Sequence, residues 1–205
     1  NPTYANAYHW HSEVYDIQGQ FDLAAAESNK ALQQDPYSMI INSQLGINLN
    51  YAGKFQEAIS KLQNALSFDS TFAVAYYHLG IAYVGLKQFK EARLYFQKST
   101  SFGHHANRFQ AALGFAEAMS GNKNAAKEIQ EELLLKMKNE YVPAYDLAVV
   151  SLGLGETEQA LDYLEQAYTN REPWMPFIGM NPLFTSLYGN SQFQDLVKRI
   201  KGSAQ

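Results

Sequence analysis

The chain is 205 residues long, 46% hydrophobic, 18% charged and 14% aromatic, with a formal net charge of −4 and no cysteine. The missing thiols exclude disulfides and cysteine metal sites. The lack of a basic stripe argues against nucleic acid as a partner, and no apolar run approaches the ~20 residues that a membrane-spanning helix needs. The opening Asn1-Pro2-Thr3-Tyr4 has no initiator Met and reads as the interior of a longer protein.

Apolar periodicity and turn signals predict ten helices in five hairpins. The first pair spans 5–18 and 21–34, carries Tyr8, Tyr15, Ala24 and Ala31, and closes at Asp35-Pro36, because proline disfavours helix at the residue before it. The second, 39–52 and 55–68, carries Leu45-Gly46, Ala58, Leu62 and Ala65. The third, 73–86 and 89–101, carries Tyr76, Leu79-Gly80, Tyr83, Ala92 and Phe96. The fourth, 106–119 and 122–138, drifts most: Lys123 stands where earlier pairs have Phe21, Phe55 and Phe89, and no proline closes it. The fifth, 141–153 and 156–169, opens at Val142-Pro143. Beyond it, residues 171–205 leave the pattern. Phe193, Leu196, Val197 and Ile200 share one face of a last helix from Ser191 to Lys201, with Asn190 or Ser191 as its N-cap. The resulting division is five units, about 5–38, 39–72, 73–106, 107–140 and 141–170, followed by a C-terminal capping segment expected to fold back over the fifth hairpin.

One frame joins the five units. Ala24, Ala58, Ala92, Ala126 and Ala160 recur at a fixed interval, and Ser12, Gly46, Gly80, Gly114 and Ala148 form a second small column. Antiparallel helices approach to about 8–10 Å only where small residues meet. Gly19, Gly53, Lys87, Gly121 and Gly155 occupy the intervening turns, where a positive φ ends the first helix. Phe21, Phe55 and Phe89 follow those turns and are expected to plug the space beneath them. The string Tyr76-Tyr77-His78-Leu79-Gly80-Ile81-Ala82-Tyr83, with Ala92 and Phe96, resembles the tetratricopeptide repeat family. The resemblance covers about residues 5 to 170. It implies an all-α fold: a right-handed superhelical solenoid of five helix hairpins plus capping helices, acting as a protein- or peptide-binding scaffold without catalysis or cofactor. The tail adds a narrower resemblance, carried by Leu164, Ala167, Pro173, Trp174, Asn181, Pro182, Phe184, Leu187, Phe193 and Leu196. It is similar to the segment that closes tetratricopeptide regions of large bacterial regulators, which sit behind winged-helix, adenylate cyclase or protein kinase domains.

The resemblance implies that the first helices line a concave face. Its columns are His9, Ser43, Tyr77, Ala111 and Tyr145; Glu13, Ile47, Ile81, Phe115 and Val149; and Asp16, Asn50, Val84, Ala118 and Leu152. None of these is Lys or Arg and Asn50 is the only Asn, which argues against a clamp for a C-terminal carboxylate. The candidate partner groove therefore comprises His9, Glu13, Asp16, Ser43, Ile47, Asn50, Tyr77, Ile81, Val84, Phe115, Tyr145 and Val149. It is acidic near Glu13 and Asp16 and apolar from Ile47 onward, suiting an apolar peptide with a basic flank. The same positions could equally pack against neighbouring first helices, or line a groove closed by superhelical twist.

No constellation calls for catalysis or a metal. His104-His105 reads as a solvated turn, since adjacent helical residues point about 100° apart. His9 and Glu13 can pair on the surface, while His11 points into the hairpin. Gly153-Leu154-Gly155 lacks a full phosphate-loop string and reads as a hairpin turn. The leading expectation is a cytoplasmic interaction module of a bacterial transcription or signalling regulator. The alternatives are a stand-alone or periplasmic cell-envelope scaffold, favoured by low charge, and homodimerisation through an open N-terminal face or the apolar tail.

Overall fold

The computed structural model describes residues 4–203, and the Asn1-Pro2-Thr3 opening lies outside them. Ten helices alternate as α1 (Ala5–Ile17), α2 (Phe21–Gln34), α3 (Met39–Tyr51), α4 (Phe55–Phe68), α5 (Ala73–Gly85), α6 (Phe89–Phe102), α7 (Asn107–Met119), α8 (Lys123–Lys136), α9 (Ala144–Leu154) and α10 (Thr157–Thr169). Two 3₁₀ turns, Met175–Phe177 and Pro182–Leu187, lead into α11 (Ser191–Ser203). Among the described residues there is no strand. The helices pair as five antiparallel hairpins that stack into a solenoid. The largest shift from the predicted bounds is at α9, which starts at Ala144 because Pro143 occupies its N-cap.

The two columns of small residues are the crossings. Ala24, Ala58, Ala92, Ala126, Ala160, Ser12 and Ala148 are each wholly buried. At Gly80 a Cβ would stand 2.4 Å from the Phe96 ring, and at Gly46 2.6 Å from Leu62 Cγ. Those two side chains occupy one register position, sixteen residues after the glycine. In the fourth hairpin that position is Gln130, which instead donates to Ser151 Oγ (3.1 Å) and Glu156 Oε2 (2.7 Å). Ile129 takes over the packing near Gly114.

The turn column also holds. Gly19, Gly53, Gly121 and Gly155 have φ of 73°, 73°, 101° and 86°, and Lys87 adopts 58° at the same position. The phenylalanines that open α2, α4 and α6 are half-buried, and the Phe55 ring reaches forward onto Gly85 of the next hairpin. At the N-terminal end, Trp10 and Val14 remain 67% and 50% exposed. Their register mates His78, Ala112, Asn48 and Ala82 are all buried.

Gly153, in α9, approaches backbone rather than side chain: an added Cβ would lie 2.6 Å from Phe115 Cα. A neighbouring backbone cannot rotate away. Gly153→Ala is therefore expected to destabilise the chain by about 1–3 kcal/mol in urea unfolding, despite the ~1 kcal/mol helix-propensity advantage of alanine. Unchanged or higher stability would contradict the close α7–α9 crossing.

Candidate interaction groove

The first helices face inward, and the expected groove residues lie on them. Of these residues only His9, Glu13 and Ile47 keep partial solvent contact. His9 Nε2 stands 3.8 Å from Glu13 Oε1. Asp16 is wholly buried, and its Oδ2 accepts from Asn48 Nδ2 at 2.5 Å; Asn48 Oδ1 in turn accepts from Ser28 Oγ at 2.5 Å. Asn50 donates to the His78 carbonyl at 2.9 Å, tying α3 to α5. Ser43, Tyr77, Ile81, Val84, Phe115, Tyr145 and Val149 are buried as well. His11 departs from its expected place: its side chain is 70% exposed, 3.7 Å from Glu27, at the rim of the first hairpin. Leucine takes this position in the later units, and the polar ring stays in water instead. His104 and His105 form an exposed turn with φ of 52° and 56°. No three metal-ligating side chains gather among the described residues.

The groove does not lie open along its length, as the apolar-peptide reading supposed. The chain's own tail fills it. Pro173, Pro176 and Pro182 prevent a continuous helix after α10, so the chain turns inward through two 3₁₀ turns. Phe177 stacks on Tyr51 of α3, with ring centroids 5.4 Å apart and planes at 17°. Phe184 packs edge-on against Tyr145 of α9 at 5.4 Å. Asn181 Nδ2 donates to the Tyr145 hydroxyl at 3.0 Å, while its Oδ1 caps the second 3₁₀ turn through Leu183 N at 3.1 Å. Met175, Ile178, Leu183, Phe184 and Leu187 join one core with Tyr77, Ile81, Val84, Phe115, Tyr145 and Val149. Only α11 behaves as the simple cap foreseen for the whole tail. It packs on α10, with Phe193, Leu196 and Ile200 buried and Asn190 Oδ1 accepting from Phe193 N at 3.0 Å.

Two charged side chains anchor the tail. The Arg108 guanidinium lies 3.6 Å from the Trp174 ring centroid and 4.3 Å from that of Tyr77, which places it between α5 and the tail. A desolvated contact of this kind contributes about 2 kcal/mol. Glu172 is buried, and its carboxylate accepts from Ala144 N (2.9 Å), Tyr145 N (3.0 Å) and the Tyr141 hydroxyl (3.1 Å). It thereby caps α9, whose own N-cap residue, Pro143, provides no side-chain cap. Arg108 escaped the three columns because it stands one turn further toward the N-terminus. The column Asn6, Ile40, Val74, Arg108 and Val142, three residues before the His9 column, shares the same face and would have revealed it.

Burial governs the titrations. Burial raises the Asp146 carboxyl to about 7, Arg108 partly opposing it and Glu172 adding to it. Burial pushes His78 well below the usual imidazole range, with Arg108 adding to the effect. Burial also raises the Tyr51 and Tyr145 hydroxyls. Burial thus disfavours the charged form of each of these side chains, which suits a face that holds an irregular apolar segment.

Residues 5–38 and 73–102 match the tetratricopeptide repeat model, and residues 48–87 match a second TPR repeat model. The chain carries tetratricopeptide repeats, and its fold is the corresponding solenoid. Its fold is similar to a crystal structure of a thermophilic TPR protein in Thermus thermophilus, with TM-score 0.65 and 15% identity over 98% of each chain. Among curated proteins it is 33% identical over 93 residues to a probable UDP-N-acetylglucosamine–peptide N-acetylglucosaminyltransferase SPINDLY of Hordeum vulgare, covering 42% of this chain and 10% of that protein. It is 30% identical over 138 residues to the formate-dependent nitrite reductase complex bifunctional subunit NrfFG of Haemophilus influenzae, covering 66% of this chain and 36% of that protein. The chain thus spans about a tenth and about a third of these relatives.

Asp16 gives the groove a pH signature. Burial raises its carboxyl from 3.8 to about 7, with the Asn48 hydrogen bond opposing and Glu13 reinforcing the shift. The folded chain therefore holds this proton more tightly than the unfolded chain. The stability it contributes is full below pH ~4 and is lost as the pH rises toward 7. Asp16→Asn keeps the acceptor for Asn48 and removes the charge. It is expected to be more stable than the parent by about 1–3 kcal/mol at pH 8, with no gain at pH 4, in urea unfolding.

Proposed function

We propose that this tetratricopeptide-repeat chain is a protein-interaction scaffold, acting as the regulatory part of a bacterial transcription or signalling regulator in the cytoplasm. Tetratricopeptide repeats generally mediate protein–protein interaction. One observation supports a peptide-holding face in particular. The concave surface of α3, α5, α7 and α9 already holds an irregular apolar segment, Trp174 to Leu187, through aromatic stacking and a guanidinium. A partner segment of the same chemistry would use the same contacts, in competition with the tail. On this reading the chain performs no catalysis. The matched stretch of the glycosyltransferase lies in its repeats alone.

A competing tail lowers apparent affinity by the fraction of time the groove is free. Trp174→Ala removes the ring that clasps Arg108 and raises that fraction. The labelled peptide of residues 171–188 is expected to bind the Trp174→Ala chain about tenfold more tightly than the parent, by fluorescence anisotropy. Absence of saturable binding to a variant that keeps its helical circular dichroism would contradict an exchangeable groove.

A further inference from the structure

The solenoid curls until its two ends meet. The first 3₁₀ turn touches α1, and between them runs a cleft of about 840 Å³. Ligand pockets span about 300–1,000 Å³. The floor is apolar, formed by Val14 and Ile17 of α1 and by Pro173, Met175, Pro176 and Ile200 from the tail side. A smaller lobe of about 230 Å³ continues it over Ile17, Met175, Pro176 and Ile200 toward Phe21 and Val197. The first 3₁₀ turn touches α1 without filling the seam: the cleft remains, and Val14 is 50% exposed.

The charges at the rim are unbalanced. Arg171 and Lys201 border the cleft, both exposed, and neither has an ion pair or side-chain hydrogen bond with the described residues. The only acidic side chain in the lining is Glu172, whose carboxylate is already committed to Ala144 N, Tyr145 N and the Tyr141 hydroxyl. Opposite, Gln18 and Gln20 are exposed and carry amides that both donate and accept. An apolar floor, two cations on one bank with no partner among the described residues, and amides on the other select a definite ligand chemistry.

We propose that this seam is a second docking site, for a short peptide with apolar side chains followed by carboxylates. The apolar side chains lie on Val14, Ile17, Met175 and Ile200, the carboxylates meet Arg171 and Lys201, and the peptide backbone pairs with Gln18 and Gln20. The amides favour a peptide over an alkyl chain, which has nothing to offer them. Because the site is built jointly by α1 and the tail, its ligand bridges the two ends of the solenoid. The site rests on the reading of the chain as an interaction scaffold, but not on the concave groove.

The test uses the full chain and two labelled peptides, Leu-Phe-Leu-Asp-Glu-Asp and the same peptide with lysine in place of each acid. The acidic peptide is expected to bind saturably and at least about tenfold more tightly than the basic one. The double reversal Arg171→Glu with Lys201→Glu, at exposed positions, should weaken the acidic peptide about tenfold and invert the preference. Val14→Asn, which removes the apolar contact without adding charge, should weaken both peptides. Equal binding of the two peptides, or indifference to all three substitutions, overturns the site. Displacement of the acidic peptide by equimolar oleate marks a lipid slot and also overturns it. Binding of the tail peptide but of neither probe removes this site and leaves the groove standing. Failure of every peptide removes both.

Discussion

Each hairpin is held at a crossing where one helix presents almost no side chain to the other. Gly46 under Leu62 and Gly80 under Phe96 leave no room even for a methyl group. Close-packed interiors do not absorb such an addition without strain. The large residue fills what the small one vacates, and this pairing brings the axes close enough for the next hairpin to stack at the same interval. Where the large partner is lost, as at Gln130, the chain substitutes Ile129 and a polar network to Ser151 and Glu156. The concave face, the curl of the solenoid and the meeting of its ends all follow from repeating that crossing.

Curling creates an apolar inner surface that a short solenoid cannot bury by stacking alone. Tyr51, Tyr77, Phe115 and Tyr145 face inward from four successive first helices. Exposed together they would form a large apolar patch, which soluble chains rarely leave uncovered. The tail answers this with aromatic and aliphatic side chains on two short 3₁₀ turns, positioned by three prolines. Arg108 and Glu172 set its register, one by lying against Trp174, the other by capping α9. The C-terminal segment is therefore both an end cap, through α11, and the occupant of the groove.

The repeat was legible in the sequence because its determinants are local: a small residue, a turn glycine and an alanine at a constant spacing. The helix bounds follow from them within a few residues, with α9 displaced by Pro143. The tail was legible only in part. The face of Phe193, Leu196 and Ile200 and the Asn190 cap are helical patterns, visible at short range. The insertion of Phe177 and Phe184 into the groove depends on distances across more than thirty residues, and no periodicity encodes them. Arg108 was recoverable in principle, since its column is one turn from those considered. His11 was misplaced because a leucine column was extended to a side chain whose polar ring prefers water.

The inner face of the solenoid is occupied by the chain's own residues 174 to 187, and a nuclear Overhauser spectrum of the intact chain tests this directly. A filled groove predicts cross-peaks between the Trp174 indole and the Arg108 side chain, and between the Phe184 and Tyr145 rings. A Trp174 indole with no cross-peak to α5 or α7, beside a Tyr145 ring with none to the tail, would contradict it.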